Sequence, residues 1–341
     1  MPLLQSSLIS SFSLNGNTEV SEAWPSSIRF VEIYAFMQSD ALTLFGPASE
    51  GTALSVMSSA FDNSAEIDRV SQKVTSMYAG KQIVAFATYL PEILSHRWNP
   101  IGYMAAQRAL EFVIRVAQRL HKYGHPVKVV ELVGGSKIDG VWAGQEVGRK
   151  VYIANRITDV EAITRLLERL EGIAAIACQE PRISLGLELE PGPLFTVNAG
   201  NIKLLCDLID QGSAAIRGSL GLNLDIPHWD FLGNLGVEWL RAPANANVLQ
   251  RIVHAHICDH TVGHFGDSAL YTFHHVDRFQ EWVNLLVSIA DVDRDTTVPA
   301  FSGFISLELE CCKFCESLEV AAKHLINLVG KANRDAGKVT E

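Results

Sequence analysis

The chain is short of basic residues and of long apolar runs. Lys and Arg number 28 against 38 for Asp and Glu, which gives a formal net charge of −10. Since proteins bind nucleic acid largely through cationic contacts with phosphates, this balance argues against nucleic acid as a partner. No apolar stretch reaches the ~18 residues that a membrane-spanning helix needs, so we expect no membrane partner.

Cysteine is absent from the first half of the chain, where the earliest is Cys178. That distribution is a poor match to a disulfide scaffold, and the N-terminus lacks the basic start of a secretory signal. We therefore expect a reducing, cytoplasmic setting. Cys311, Cys312 and Cys315 resemble half of a zinc site, but no second cysteine pair accompanies them, so buried thiols are the preferred interpretation.

Hydrophobic residues make up 48% of the chain, enough for a large buried core. Short β-rich runs alternate with helical patterns, as in a parallel sheet with crossover helices. No G-x-G-x-x-G motif follows a strand, which favours an α/β fold of one (β/α)₈ TIM barrel over an open dinucleotide-binding sheet. We expect a single domain over 1–341, with 1–27 an N-terminal extension and 332–341 a flexible tail.

Eight segments have the β-branched and aromatic composition of strands and are bounded by turn residues. The predicted strands are 28–37, 82–90, 127–133, 150–154, 183–190, 220–226, 251–259 and 303–310. Helical periodicity predicts helices between them. These helices are 101–123, which Gly124 is expected to stop, 159–175, 197–212, 276–290 and 317–331.

Acidic residues and histidines end the predicted strands of the second half. They are Glu188 and Glu190, Asp225 followed by His228, His254, His256 and Asp259, and Glu308 and Glu310. In a TIM barrel the active site lies at these carboxyl ends, and residues two apart on a strand share a face. Converging carboxylates repel one another unless a cation or protons neutralise them. Such an oxygen-rich set predicts one divalent metal ion, with Mn²⁺ or Mg²⁺ favoured and Co²⁺ or Zn²⁺ as alternatives.

Four motifs occupy these strand ends: G-L-E in ISLGLELEPG, D-x-x-H in NLDIPHW, H-x-H-x-x-D in HAHICD, and G-x-x-x-x-E in GFISLE. In this order they resemble the xylose isomerase-like TIM barrels. That superfamily includes sugar isomerases, keto-sugar epimerases, hydroxypyruvate isomerase, inosose dehydratase and the endonuclease IV group. The resemblance rests on motifs from 182 to 310 and on architecture alone before that.

The resemblance implies the metal ligands Glu188, Asp225, His256 and Glu308. It also implies that Glu188 and Glu308 move protons on opposite faces of a bound sugar. One removes the proton α to the carbonyl, and the other returns a proton to the enediolate. His228 would donate a hydrogen bond to a substrate oxygen.

For several neighbouring residues the sequence leaves more than one role open. Glu190 shares its strand face with Glu188, so it is either the alternative ligand or a substrate-binding residue. Asp259 orients His256, accepts a hydrogen bond from substrate, or is simply a surface residue. Trp229 either lines the apolar face of a sugar or packs a long loop.

Other polar residues near the strand ends are interpreted as structural. His254 is expected to be packed, and Glu32 and Glu131 are expected to line the barrel. A group of histidines follows the strand at 251–259, and a substrate-lining loop is preferred over a second metal site there. These histidines are His260, His264, His274 and His275.

The sequence therefore predicts a metal-dependent isomerase or epimerase of carbohydrate metabolism. Its substrate is expected to be a small carbohydrate-like molecule, a sugar or sugar phosphate, that reacts through an enediolate. Homo-oligomeric assembly is compatible with this reading. One alternative is an apurinic-site endonuclease-like phosphodiesterase, and another is a barrel that binds metabolites without catalysis.

Two departures from the family bear on these alternatives. The endonuclease branch holds three zinc ions with extra histidines from the first half of the chain. Here the first-half histidines are His96, His121 and His125, and none ends a predicted strand. The epimerase branch often carries an arginine six residues after the strand-seven histidine, where this chain has Val262, so the substrate class stays open.

Overall fold

A computed structural model describes residues 3–9, 25–35, 64–88, 100–133, 158–189, 198–231, 235–260, 269–290, 297–309 and 315–338. Eight parallel strands form a closed barrel in which each strand pairs with its neighbours in chain order, and the last pairs with the first. The strands are β1 (Gln5–Ile9), β2 (Phe30–Tyr34), β3 (Gln82–Ala87), β4 (Val129–Val133), β5 (Ser184–Glu188), β6 (Leu220–Asp225), β7 (Ile252–Ile257) and β8 (Phe304–Leu307). The predicted (β/α)₈ TIM barrel is confirmed.

Helices connect the strands and cover the outside of the barrel. They are α1 (Ser64–Met77), α2 (Pro100–Leu120), α3 (Asp159–Ala177), α4 (Ala199–Gln211), α5 (Ala214–Ser219), α6 (Ile226–Phe231), α7 (Val237–Arg241), α8 (Ala246–Arg251), α9 (Val276–Ala290) and α10 (Cys315–Asp335). Local signals set several ends. Thr158 and Glu161 form a capping box at the start of α3. Gly124 stops the turn after α2 with a φ of 82°, which favours glycine.

The first barrel strand lies inside the segment assigned to an N-terminal extension, so that assignment of 1–27 is corrected. Gln5–Ile9 pairs with both β2 and β8. This strand lacks the apolar pattern of a buried strand, because one of its buried positions is a serine. Ser7 is fully buried, and its hydroxyl lies 2.8 Å from that of Ser306 inside the barrel. The predicted strand at 150–154 lies outside the described residues.

The predicted flexible tail at 332–341 is also corrected for the residues that the structure describes. Helix α10 continues to Asp335, and the Asn333 amide donates a hydrogen bond to the Leu4 carbonyl at 2.9 Å. Lys338 is 3% exposed and donates to the Val287 carbonyl at 3.2 Å. The end of the chain therefore packs beside its beginning, which ties α10 to β1.

Side chains fill the barrel interior in layers, because alternate residues of a strand point to one face. An apolar plug forms the lowest layer, and its buried members are Val84, Ala85, Val129, Val253 and Phe304, with Phe30 packed against them. Two residues further along three of these strands stand Glu32, Glu131 and Ser306, all buried. A polar layer thus rests on an apolar floor, below the carboxyl ends of the strands.

Two observations in the fold bear on the expectations drawn from cysteine content and hydrophobicity. Cys178, Cys206 and Cys258 are free thiols. Among the helices in the described ranges, none combines the length and the apolar character that crossing a membrane requires.

Gly221 lies where β6 and β7 approach each other closely, and a substitution there tests the packing of the barrel. A Cβ atom there would lie 2.4 Å from Val253 Cγ1 and 2.5 Å from the Arg251 carbonyl oxygen. Because a backbone oxygen cannot rotate away, Gly221→Ala should lower the free energy of unfolding by about 1–3 kcal/mol. Urea unfolding measures this. Gly236→Ala is the control, since nothing lies within 4 Å of its Cβ position, and equal midpoints for both variants would contradict the packing.

Candidate metal centre

Four side chains converge at the carboxyl ends of β5 to β8. Glu188, Asp225, His256 and Glu308 each offer one potential ligand atom, and these atoms lie within 4.8 Å of one another. All four side chains are buried, the most exposed being Glu308 at 8%. The structure therefore brings together the four residues that the motifs singled out, while metal ligation itself stays a prediction.

The His256 imidazole is held between this ligand set and the polar layer below it. Its Nδ1 lies 2.9 Å from Glu308 Oε2. Its Nε2 lies 3.0 Å from Glu131 Oε2 and 3.3 Å from Glu32 Oε2. A carboxylate that accepts the N–H of one ring nitrogen orients the other nitrogen toward a metal. Glu32, which shares a hydrogen bond with Nε2, is thus placed to aim Nδ1 at the ligand set, and the Glu131 carboxylate adds its charge on the same side.

His228 lies at the open edge of the ligand set. Because α6 begins directly after β6, the Asp225 carboxylate accepts a hydrogen bond from the backbone N–H of His228 at 3.1 Å. The His228 Nδ1 is 3.2 Å from Asp225 Oδ2 and 3.3 Å from Glu188 Oε1. Its side chain is 20% exposed, more than those of the two acids that it contacts. This position is compatible with the predicted substrate contact, which stays a prediction.

Burial and mutual repulsion perturb the carboxyl groups of the ligand set. Burial, joined by the charge of Glu131, raises the pKa of Glu188 to about 8. Burial also raises the pKa of Asp225 to about 6 and that of Glu308 well above its ordinary value. These directions mean that the surrounding protein groups do not neutralise the acids. A buried, oxygen-rich donor set with uncompensated negative charge fits a divalent cation.

In the polar layer below, Glu32 differs from these acids. Glu32 is fully buried, yet His254 and His256 outweigh the effect of burial and hold the pKa of its carboxyl well below the ordinary value. His254 Nε2 lies 2.9 Å from Glu32 Oε2, and its Nδ1 lies 2.9 Å from Ser302 Oγ. His254 is therefore packed, as interpreted. Burial also raises the pKa of Glu131 to about 6.

Glu131 gives a test of how the polar layer supports His256. Glu131→Gln keeps the size of the side chain but removes the negative charge that lies 3.0 Å from His256 Nε2 and favours an N–H there. Removing such a partner typically lowers metal affinity about 10- to 100-fold, and we expect a loss of that size. Competition titration with a chelating dye measures it. Glu238→Gln is the control, because the Glu238 side chain is 89% exposed. Unchanged affinity in Glu131→Gln would contradict the orienting role.

Asp259 lies just beyond the end of β7, and its hydrogen bonds run to the segment before α9, so its predicted substrate contact stays a prediction. The carboxylate is fully buried, and its Oδ2 accepts from the backbone N–H groups of Phe273 at 2.8 Å and His274 at 3.1 Å. Its Oδ1 accepts from the His260 N–H at 2.8 Å. These bonds tie the end of β7 to the segment before α9, which is a loop-holding role.

Trp229 is 0% exposed, which favours loop packing over contact with a substrate. Its ring packs edge-on against Trp239 with 6.3 Å between the ring centroids. Of the two interpretations, loop packing is the one observed. Glu190, the alternative ligand, lies outside the described residues, as do Glu310, Val262 and His264.

No protein-family model and no curated protein sequence matches this chain. Among solved structures it is similar to IolI protein with a bound zinc atom, at a TM-score of 0.56 and 16% identity over 96% of this chain and 98% of that one. It is similar to L-ribulose 3-epimerase, at a TM-score of 0.57 and 13% identity over 97% and 96% of the two chains. A fusion of a xylose isomerase-like TIM barrel with 4-hydroxyphenylpyruvate dioxygenase matches at a TM-score of 0.56 and 14% identity, over 99% of this chain but 45% of that one. These likenesses establish that the chain has the fold of the xylose isomerase-like TIM barrel proteins.

Proposed function

We propose that this chain is a divalent-metal-dependent isomerase or epimerase that moves a proton beside the carbonyl group of a small carbohydrate-like substrate. One observation carries the proposal: four ligand-type side chains converge at the carboxyl ends of four consecutive strands. In TIM-barrel enzymes this end of the barrel holds the active site. The fold neighbours support it, since one binds zinc and another is L-ribulose 3-epimerase.

Glu188, Asp225, His256 and Glu308 would hold the metal ion. Three carboxylates with one imidazole favour Mn²⁺ or Mg²⁺, with Co²⁺ and Zn²⁺ as alternatives. When bound, the cation supplies a positive charge that polarises the substrate carbonyl and lowers the energy of the enediolate.

Glu188 and Glu308 are the proposed proton carriers. The carboxylate of one takes the proton from the carbon next to the carbonyl, which leaves an enediolate and a neutral carboxylic acid. The other, in its acid form, gives a proton back. Return to the same carbon from the opposite face inverts that centre, whereas return to the neighbouring carbon exchanges the carbonyl and hydroxyl positions.

The positions of the first-half histidines count against the endonuclease alternative. His121 Nε2 lies 2.6 Å from the Val127 carbonyl oxygen. His125 Nδ1 accepts a hydrogen bond from the Ile83 N–H at 3.3 Å. Both histidines precede β4, so they lie near the amino ends of the strands, opposite the ligand set. His96 lies outside the described residues. We accordingly propose a small-molecule substrate and no nucleic-acid partner.

Metal analysis of protein purified without added metal, followed by a substrate screen, tests the proposal. Ketoses and sugar phosphates would be incubated with the protein and Mn²⁺ in deuterated water, and exchange of the α-proton followed by NMR. We expect bound divalent metal and exchange with at least one ketose. Absence of both, or incision of an abasic duplex instead, would overturn the proposal. A cytoplasmic location and homo-oligomeric assembly stay part of the proposed setting, to be checked by fractionation and by light scattering.

A further inference from the structure

A second group of metal-binding side chains lies just beyond the end of β7. Asp259, His260 and His274 each offer one potential ligand atom, and these atoms lie within 4.8 Å of one another. Asp259 and His260 follow the strand, and His274 stands just before α9, so the fold brings two separate segments together. None of the three residues belongs to the proposed catalytic metal site.

His260 supplies an independent observation that points to a ligand. It is 4% exposed, and among the described residues neither of its ring nitrogens has a hydrogen-bond partner. A buried nitrogen without a partner costs free energy, so such groups call for an explanation. The nearest acid is Asp230, whose Oδ2 lies 3.6 Å from His260 Nε2 and already accepts from Arg278 Nε at 2.7 Å.

The ionisation of His260 suits a metal ligand. Burial lowers the pKa of its imidazole; Asp230 and Asp259 oppose this, whereas His274 and Arg278 add to it. A neutral imidazole carries the lone pair that a metal ion requires. The lowered pKa of His260 therefore agrees with its position in the cluster.

Asp259 also fixes the second imidazole. The Asp259 Oδ1 and His274 Nδ1 atoms are 2.6 Å apart. The rings of His260 and His274 lie 5.3 Å apart between centroids and are inclined by 37°. Two imidazoles and one carboxylate whose potential ligand atoms lie this close together form a donor set that suits a metal ion.

We propose that Asp259, His260 and His274 form a second metal site that takes Zn²⁺ or a cation of similar character. Two imidazoles with one carboxylate are typical zinc donors, unlike the oxygen-rich ligand set at the strand ends. The bound ion would join the end of β7 to the segment that leads into α9. It would take the place of the side-chain contact between Asp259 and His274, while the backbone N–H groups of Phe273 and His274 still donate to the Asp259 carboxylate. This inference is independent of the proposed isomerase activity.

Zinc stoichiometry of paired histidine variants tests the site. Protein stripped with a chelator and dialysed would be titrated with Zn²⁺ against a chromophoric chelator, and bound metal counted per chain. His274→Ala should bind one equivalent fewer than the native chain. His275→Ala is the matched control, because the adjacent His275 side chain is 81% exposed and lies 3.4 Å from Asp277 rather than in the cluster. Equal stoichiometry for the native chain and both variants would overturn the proposal.

His260→Phe provides a second readout that does not depend on His274. The change removes the unpartnered nitrogens while keeping a ring of similar shape, so the metal-free variant should melt no lower than the native protein. Zn²⁺ should raise the melting temperature of the native protein more than that of the variant, and an undiminished rise in the variant would overturn the site. Asp225→Asn reports on the catalytic metal separately, so failure of the proposed function and failure of this site are distinguishable.

Discussion

Replacing Glu308 by Gln should abolish most turnover of the proposed reaction while substrate binding remains measurable. Glutamine keeps the size of the side chain and an oxygen donor but cannot accept or release a proton. A positioned acid or base typically contributes about 10²- to 10⁴-fold to the rate, and we expect a loss in this range. Glu188→Gln should lose a similar factor. The measurement is kcat on the ketose that the substrate screen identifies.

Proton exchange separates the two glutamates. The variant that lacks the base cannot remove the α-proton, so the substrate should stop exchanging with deuterated water. The variant that lacks the acid still forms the enediolate, so it should exchange the proton while giving little product. Because Gln is a weaker metal ligand than Glu, the metal content of each sample has to be measured alongside the rate.

Glu180→Gln is the control for these substitutions, since its side chain is 82% exposed and contacts Arg182 at the surface. It should keep native turnover. A metal-loaded Glu188→Gln variant that exchanges and turns over at the native rate would show that Glu188 is not a proton carrier. Glu190, which shares the strand face of Glu188, would then be the next candidate.

The convergence of the four ligand-type residues was predictable because chemistry and geometry constrain them together. A barrel places the carboxyl ends of all its strands on one rim, and a two-residue period decides which side chains face inward. Residue type at four strand ends therefore supplied the candidate acids and histidines, and the resemblance to the xylose isomerase-like barrels selected Glu188, Asp225, His256 and Glu308 among them. The structure brings together the same set.

Contacts across the closed barrel were not predictable from local spacing. The Glu32 carboxylate touches His256 from a strand 224 positions earlier in the chain, and it does so only because β1 pairs with β8. Strand β1 itself was missed, because the buried Ser7 breaks the apolar pattern that marks a strand. Trp229 was ambiguous, since an aromatic residue after a strand suits a ligand wall and a packed loop equally well.

The metal-free protein should become less stable as the pH rises from about 5 to 8, the reverse of ordinary acid denaturation. A carboxyl whose pKa is raised in the folded state keeps its proton after the unfolded chain has lost it. Between its ordinary value of 4.5 and about 8, Glu188 therefore binds more protons folded than unfolded, so the free energy of unfolding falls. Asp225 acts likewise up to about 6, and Glu308 and His256 act in the same direction.

Glu32 does not oppose this trend within the same interval. Its pKa lies well below the ordinary 4.5, so the stability that it contributes is present above that value and is lost only at lower pH. His125 and His260 do oppose it up to the ordinary histidine value of 6.5, because burial lowers their pKa values and the unfolded chain binds more protons there. Above that value only the raised groups act, so we expect a net loss of stability across the interval.

A divalent ion should reverse the loss, because it takes the place of the protons between the carboxylates. Ligands have to be deprotonated to bind a metal, so the gain in stability on adding Mn²⁺ should be larger at pH 8 than at pH 5. Urea unfolding at both pH values, with chelator and with Mn²⁺, measures all four states. Glu188→Gln removes one titrating group and should flatten the pH dependence of the chelated protein. Stability that rises with pH in chelator would show that the acids of the ligand set are already neutralised by the protein, and the case for a metal between them would fail.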